Sequence, residues 1–278
     1  MNKVFKKIIG ITGANGALGS QFIKKNKTKY IFRIYKDKIE NKKKFKSWLY
    51  KNLDIQQFVH FAAISSIERT NKNPEKTYKV NSSATIDIIK ILNKAKLINF
   101  DYFLFSSSSH VYKPSFKALY ENSTREPSTV YGRSKKKVED FILKNRKKIR
   151  FKIGVARIFN FYSHKHDKGF FIQDMKKKMK INNKFLRIKK INVSRDYINL
   201  NQLCEILFFI FNKKISKIVN VGSGRELNLI DLIKLIKIKN KLKNKLIYED
   251  KKYPGLFANI NLLRKLGYRK KMIKFKFK

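Results

Sequence analysis

Cysteine occurs once, at Cys204, so no intrachain disulfide can form and the chain reads as one suited to a reducing compartment. Only four prolines and eleven glycines occur in 278 residues, and no Pro-, Gly- or Ser-rich linker or internal repeat is present. That excludes a collagen-like or low-complexity chain. Acidic residues are scarce, 19 against 67 Lys and Arg, which leaves a net charge of +48. No apolar stretch approaches the ~18 residues that a bilayer span needs. The N-terminal apolar residues Val4, Phe5, Ile8, Ile9 and Ile11 are too few, and too broken by Lys6 and Lys7, to form a signal-peptide core. A soluble, cytoplasmic protein without membrane contact is expected.

Hydrophobic residues make up 42% and aromatics 13%, enough for a sizeable core in one large α/β domain or a domain plus a small lobe. A balance this basic can signal a nucleic-acid or acidic-membrane partner. Lysine is scattered along the whole chain, however, with short runs at Lys42–Lys44, Lys135–Lys137 and Lys176–Lys178, and no Arg-rich tail appears. Scattered charge marks solvated faces and argues against a nucleic-acid partner. The surplus would still attract a substrate bearing a diphosphate.

Short β-branched and aromatic runs alternate with helical patterns in the first half. Strands are expected at Ile8–Thr12, Tyr30–Tyr35, Gln57–Ala62, Tyr102–Ser107 and Phe151–Ile158. Helices are expected at Ala17–Lys25, Lys42–Lys51, Pro74 to about Lys96, and Tyr131–Asn145. This alternation predicts an α/β fold of Rossmann type, a doubly wound parallel sheet with right-handed crossovers. After Ile158 the rhythm loosens into helices at Phe171–Lys180, Asn201–Phe211 and Leu229–Lys239, with a strand at Ile218–Val221. The expected division is a dinucleotide-binding domain over about 1–160 and a smaller, interleaved substrate-binding lobe over about 161–278.

Where the first strand meets the first helix stands Gly13-Ala14-Asn15-Gly16-Ala17-Leu18-Gly19. Gly13 permits a tight turn, Gly16 lets the backbone approach a pyrophosphate at the helix N-terminus, and Gly19 allows the helix to pack close to the sheet. The segment Gly13, Asn15, Gly16, Ala17, Leu18 and Gly19 is therefore a candidate dinucleotide site. Asp37, 18 residues beyond Gly19, stands where an acid would hydrogen-bond the adenosine ribose and favour NAD. Arg33 and Lys36 nearby would favour NADP instead, and Asp37 also reads as a solvated loop acid, so both cofactors stay open.

A second constellation pairs the strand end Ser106-Ser107-Ser108-Ser109-His110 with Tyr131-Gly132-Arg133-Ser134-Lys135. Tyr131 and Lys135 are four apart at a helix start and share a face. A free phenol, with a pKa of about 10, is a poor base at neutral pH. A neighbouring ammonium together with a positive nicotinamide ring would lower it. Ser108 would hold the reacting oxygen against the phenol, and Lys135 would also reach the nicotinamide ribose. Tyr248 and Lys252 repeat the spacing without a Ser-rich strand end, and are read as chance.

These motifs resemble the extended short-chain dehydrogenase/reductase family, the NAD-dependent epimerase/dehydratase group, along nearly the whole chain. Val59-His60-Phe61-Ala62-Ala63 is similar to the family segment that passes the cofactor, which implies contacts from Ala62 and Ala63. Tyr78-Lys79-Val80-Asn81 is similar to its Val-Asn helix motif, with Asn81 at or supporting the substrate site. Arg157-Ile158-Phe159-Asn160 resembles a segment whose Asn, here Asn160, contacts substrate. Arg195-Asp196-Tyr197-Ile198 resembles a motif whose Arg, here Arg195, binds the diphosphate of a nucleotide sugar. Val219-Asn220-Val221-Gly222-Ser223-Gly224 matches a further signature. The resemblance implies NAD or NADP as cofactor, no metal, a nucleotide-sugar substrate, and pairing of two copies through the helices at Pro74–Lys96 and Tyr131–Asn145.

Dehydratases of the family tend to carry Asp-Glu after the Ser/Thr, whereas Ser109-His110 stands here. That points to redox chemistry at C4: an epimerase, or alternatively a 4-keto-nucleotide-sugar reductase using NADPH. His110 reads as a packed or solvent-facing histidine, with proton donation as the other possibility. The span between Asp37 and Asp54 is short, so a third strand and its adenine contact are expected to be missing. Lys113 replaces a usual Gly, Phe161 a common Pro, and Tyr253-Pro254-Gly255-Leu256 replaces Arg-x-Gly-Asp, removing a second arginine clamp. A non-catalytic, RNA-binding or regulatory Rossmann protein is the remaining alternative, supported by the charge alone.

Overall fold

The computed structural model describes residues 6–163, 165–166, 169–181, 184–243 and 245–275, so Val4 and Phe5 of the N-terminal apolar run lie outside the described residues. The first part runs β1 (Lys7–Thr12), α1 (Ala17–Asn26), β2 (Tyr30–Ile34), α2 (Lys42–Tyr50), β3 (Gln57–His60), α3 (Ile67–Lys72) and α4 (Pro74–Tyr78). A π-helical turn at Lys79–Ala84 leads into α5 (Thr85–Lys94), then β4 (Tyr102–Ser108), α6 (Val130–Asn145) and β5 (Lys152–Ile158). The second part runs β6 (Asn160–Phe161), α7 (Phe171–Ile181), β7 (Phe185–Ile188), β8 (Val193–Arg195), β9 (Tyr197–Ile198) and α8 (Leu200–Asn212). It closes with β10 (Ile218–Val221), β11 (Leu227–Asn228), α9 (Leu229–Lys239), β12 (Lys245–Tyr248), β13 (Tyr253–Leu256) and α10 (Asn261–Lys265).

Helix starts follow local chemistry. Asn41 accepts from the Lys44 N–H to begin α2, and Thr129 accepts from the Gly132 N–H to begin α6. Asn199 and Asn228 do the same for α8 and α9. Six strands form one all-parallel sheet in the order β10-β5-β4-β3-β1-β2. Side chains alternate across it as strand geometry demands. Along β4, Tyr102 and Leu104 join the core under α1 and α8, while Phe103 and Phe105 face α2, α5 and α6. Helices on both faces are what a wholly buried parallel sheet requires. A separate core gathers Met175 and Met179 of α7, Val193 of β8, and Leu232 and Ile236 of α9.

After β2 the winding reverses, and β3 pairs with the opposite side of β1. That reversal opens a crevice at the carboxyl ends of β1 and β3, the usual ligand position in such sheets. Among the described residues no strand lies between β2 and β3, and β2 is the sheet edge, as the short span implied. Two expectations are corrected. The helix expected from Pro74 to Lys96 is interrupted by the π turn and ends at Lys94, and α3 precedes it. The strand expected to reach Ala62 ends at His60. The π turn falls where tertiary bonds of Asn81 and Ser82, described next, take over, and periodicity does not register them.

Candidate active site

At the end of β1, Gly13 has φ +73°, and a Cβ there would lie 2.6 Å from the Ala62 backbone nitrogen. Only glycine fits such a backbone approach. A Cβ on Gly19 would collide with the Gly13 carbonyl, so α1 packs against the turn only with glycine at that position. Gly16 is the N-cap of α1 and supplies no side-chain hydrogen bond, and the first turn has no acidic residue. The helix N-terminus therefore keeps free N–H groups and a positive dipole end for a diphosphate. These features fit a dinucleotide.

A cavity of about 530 Å³ opens from this turn. Gly13, Gly16, Ala17, Leu18, Gly19, Ala63, Ser108, Tyr131, Lys135, Asn160 and Arg195 all line it, so residues up to 182 positions apart meet there. A second hollow is lined by Asn15, Lys36, Asp37, Lys38, Ala62 and Lys76, residues that could hold the adenosine half of a dinucleotide. Asp37 is exposed there and pairs with Lys44 at 3.0 Å. Arg33 is taken up by Asp54 at 2.6 Å. The lysines of the hollow remain as the cations facing it.

Ser108 ends β4 and its Oγ accepts from the His110 N–H. It also stands close enough to the Tyr131 phenol to lower its pKa. Lys135, one turn further along α6, is 1% exposed and donates to the Ser106 carbonyl at 2.8 Å. Its Nζ lies 4.9 Å from the Phe105 ring centroid and 5.9 Å from that of Tyr131. Burial pushes the Tyr131 phenol up to about 12, against a smaller lowering by Ser108. In the protein alone, desolvation outweighs the Ser108 hydroxyl, and the positive nicotinamide ring on which the expected acidification also depends is not part of this balance. The same burial holds Lys135 down to about 7, opposed by the Glu139 carboxylate. His110 lies in the wall and is held at about 4 by burial and then by the Arg195 charge, so it is neutral at pH 7.

Of the two places expected for Asn81, at the substrate site or supporting it, the side chain takes the second. It is fully buried behind the cavity, accepting from the Ile64 N–H at 2.8 Å and donating to the Ile64 carbonyl at 2.9 Å and to Ser134 Oγ at 3.2 Å. Ser82 donates to the Ser134 carbonyl at 2.9 Å. The π turn thus turns two polar side chains onto the loop after β3 and onto α6, and Asn81 supports the site from outside its wall. Asp196 likewise is structural. Its buried carboxylate accepts from Ser223 N and Oγ at 2.7 Å and from Gly224 N at 2.9 Å, which explains why the Arg195–Ile198 and Val219–Gly224 motifs occur together.

Sequence reasoning missed three groups. Glu139 is completely buried beneath Lys135 and binds Arg157 and Ser107. The signal was available as a second step of four, Tyr131 to Lys135 to Glu139. His60 bridges Thr12 at 2.8 Å and Thr85 at 3.0 Å, tying the end of β1 to α5. Burial, and after it the charge of Lys135, keep its pKa near 3. Arg69 of α3 also lines the cavity, a position that no spacing rule indicates.

The profile of the NAD dependent epimerase/dehydratase family matches residues 9–222. The chain belongs to that family. It is similar to a putative UDP-glucose 4-epimerase of Methanocaldococcus jannaschii, 26% identical over 78% of this chain and 72% of the relative. It is similar also to the GDP-6-deoxy-D-talose 4-dehydrogenase of Aggregatibacter actinomycetemcomitans, 23% identical over 81% of this chain and 78% of that one. Its fold matches the crystal structure of a UDP-glucose 4-epimerase from Thermotoga maritima, TM-score 0.80 at 18% identity, over 94% of this chain and 92% of the other. The protein is thus an NAD(P)-dependent enzyme of the extended short-chain dehydrogenase/reductase type. Among the described residues no helix is long and apolar enough to cross a membrane.

Proposed function

We propose that this enzyme oxidises or reduces C4 of a nucleotide-activated sugar, with epimerisation as the first reading. The observation that carries it is the meeting of Ser108, Tyr131 and Lys135 with the glycine turn and Arg195 in one cavity. A bound nicotinamide supplies the acceptor and donor of hydride. The chain's own groups handle the proton: the Tyr131 oxygen, as phenolate, takes it from the sugar hydroxyl during oxidation and, as phenol, returns it on reduction. Ser108 holds the same oxygen, and Lys135 adds positive charge beside the phenol. Arg195 is the diphosphate contact, and Asn160, which hydrogen-bonds Tyr197 in the cavity wall, orients the sugar. Asn81 acts by holding Ile64 and Ser134 in place.

A 4-keto-nucleotide-sugar reductase using NADPH is the second reading. It is favoured by Lys36, Lys38 and Lys76 around the adenosine hollow, and by the pairing of Asp37 with Lys44, which offsets the charge that would repel a 2′-phosphate. A panel of UDP-, GDP- and dTDP-sugars separates the two. Interconversion of C4 epimers without net cofactor change establishes the epimerase. Stoichiometric NADPH consumption by a 4-keto sugar establishes the reductase, and no turnover of any nucleotide sugar overturns both.

A further inference from the structure

Lys135 sits in a place that is poor for an ammonium. Its Nζ lies over the Phe105 ring, the Ser106 carbonyl accepts its hydrogen bond, and the side chain is almost wholly out of water. Burying an unpaired charge in this way is costly. The groups facing it come from several elements. From α6 come Tyr131 and Glu139, and from β3 comes His60, which is neutral at pH 7. From β5 comes Arg157, already bound to Glu139, and the π turn contributes only the neutral Asn81 and Ser82 around Ser134. Glu139 follows Lys135 by one turn of α6, is fully buried like it, and is bonded by Ser107, next to the Ser106 carbonyl that Lys135 bonds, so among the described residues it is the carboxylate whose charge reaches the lysine.

Glu139 is itself held tightly. Arg157 grips it from β5 with Nε at 3.0 Å and Nη2 at 2.6 Å, and Ser107 of β4 donates to Oε1 at 2.5 Å. The half-buried Arg125 reaches Oε2 at 3.3 Å and is shared with Asp140 at 2.8 Å. The carboxylate is therefore fixed in a fully buried position by β4, β5 and the loop before α6.

We infer that Glu139 is a positioning residue that acts through Lys135, supplying the buried counter-charge that keeps the ammonium protonated beside Tyr131. The inference rests on the proposed role of Tyr131 and Lys135, and it goes beyond that role by assigning the charge state of the lysine to a residue that touches neither cofactor nor substrate. The surrounding burial already holds Lys135 at about 7, so small changes in the counter-charge move its protonation across neutral pH.

The test compares wild type, Glu139→Gln, Arg125→Gln and Lys135→Met. In Glu139→Gln the alkaline limb of kcat/KM moves to lower pH by about one unit, with much less change at the acid plateau. Arg125→Gln removes a competing cation from Glu139 and moves the limb the other way. A second readout needs no turnover. The folded pKa of Lys135 lies below its unfolded value, so between about 7 and the unfolded value near 10.5 the unfolded chain binds the extra proton and stability rises with pH. That rise, taken in denaturant midpoints as each protein minus its own Lys135→Met counterpart, begins at lower pH in Glu139→Gln than in wild type.

A loss of activity equal at every pH, with an unmoved stability onset, overturns the inference and leaves Glu139 a structural residue. If Glu139→Gln does not fold, an unmoved limb and onset in Arg125→Gln overturn it. If wild type turns over no nucleotide sugar, the proposed function fails while the stability comparison still decides the role of Glu139.

Discussion

Replacing Tyr131 by Phe removes one oxygen and leaves the ring on its helix beside Ser108, so the change isolates proton transfer. We expect kcat to fall about 10²–10⁴-fold, the usual worth of a general acid–base group, with dinucleotide binding retained. Equilibrium titration with NADH and steady-state assays check the two halves separately. Asp37 offers a second test. Because its carboxylate already pairs with Lys44 in an exposed setting, Asp37→Ala should barely change the affinity for NADP, while weakening NAD only if the acid reaches the ribose. Comparative Kd values for the two cofactors measure this. The spacing of Tyr131 and Lys135 was readable from sequence because both lie on one helix. The depth of their burial was not, since it depends on Phe105, Ser106 and the cavity wall, which arrive from other strands.

At the scale of elements, the π turn at Lys79–Ala84 is where local pattern and tertiary demand diverge. Apolar spacing along this stretch is that of one continuous helix, and Val80, Ala84, Ile88 and Ile89 do face the core. The interruption falls where Asn81 and Ser82 bond Ile64 and Ser134, partners that are distant in sequence. Asn81→Ala would strand both backbone groups of Ile64 and should destabilise the fold by about 1–3 kcal/mol, the cost of an unsatisfied buried polar group. Urea unfolding gives that number. A raised KM or lowered kcat should accompany it, because Ser134 lies one residue before Lys135 on the same helix.

At the scale of the molecule, the carboxyl ends of β1, β3, β4 and β5 converge on the crevice, and residues from the second part of the chain close it through Asn160, Arg195 and Tyr197. The chain carries a net charge of +48, which would attract an anionic ligand from solution. For an anionic nucleotide sugar, kcat/KM should fall as ionic strength rises from about 0.01 to 0.15 M, where the screening length shrinks from about 30 to 8 Å. Stopped-flow association or initial rates over a salt series test this, and a flat response would show that the lysines are a solvated surface without a steering role.

By itself the sequence determined what depends on neighbours along the chain: the alternation of strands and helices, the glycine turn, and the pairing of Tyr131 with Lys135 one helical turn apart. It also carried enough ordered motifs to identify the family. Only the tertiary structure decided the strand order that opens the crevice, the retreat of Asn81 behind its wall, and the seating of Glu139 under Lys135 by Arg157 and Ser107. The physical reason is burial. Desolvation and through-space charge are set by whatever packs around a group, and those neighbours come together only when β3, β4, β5 and α6 are assembled.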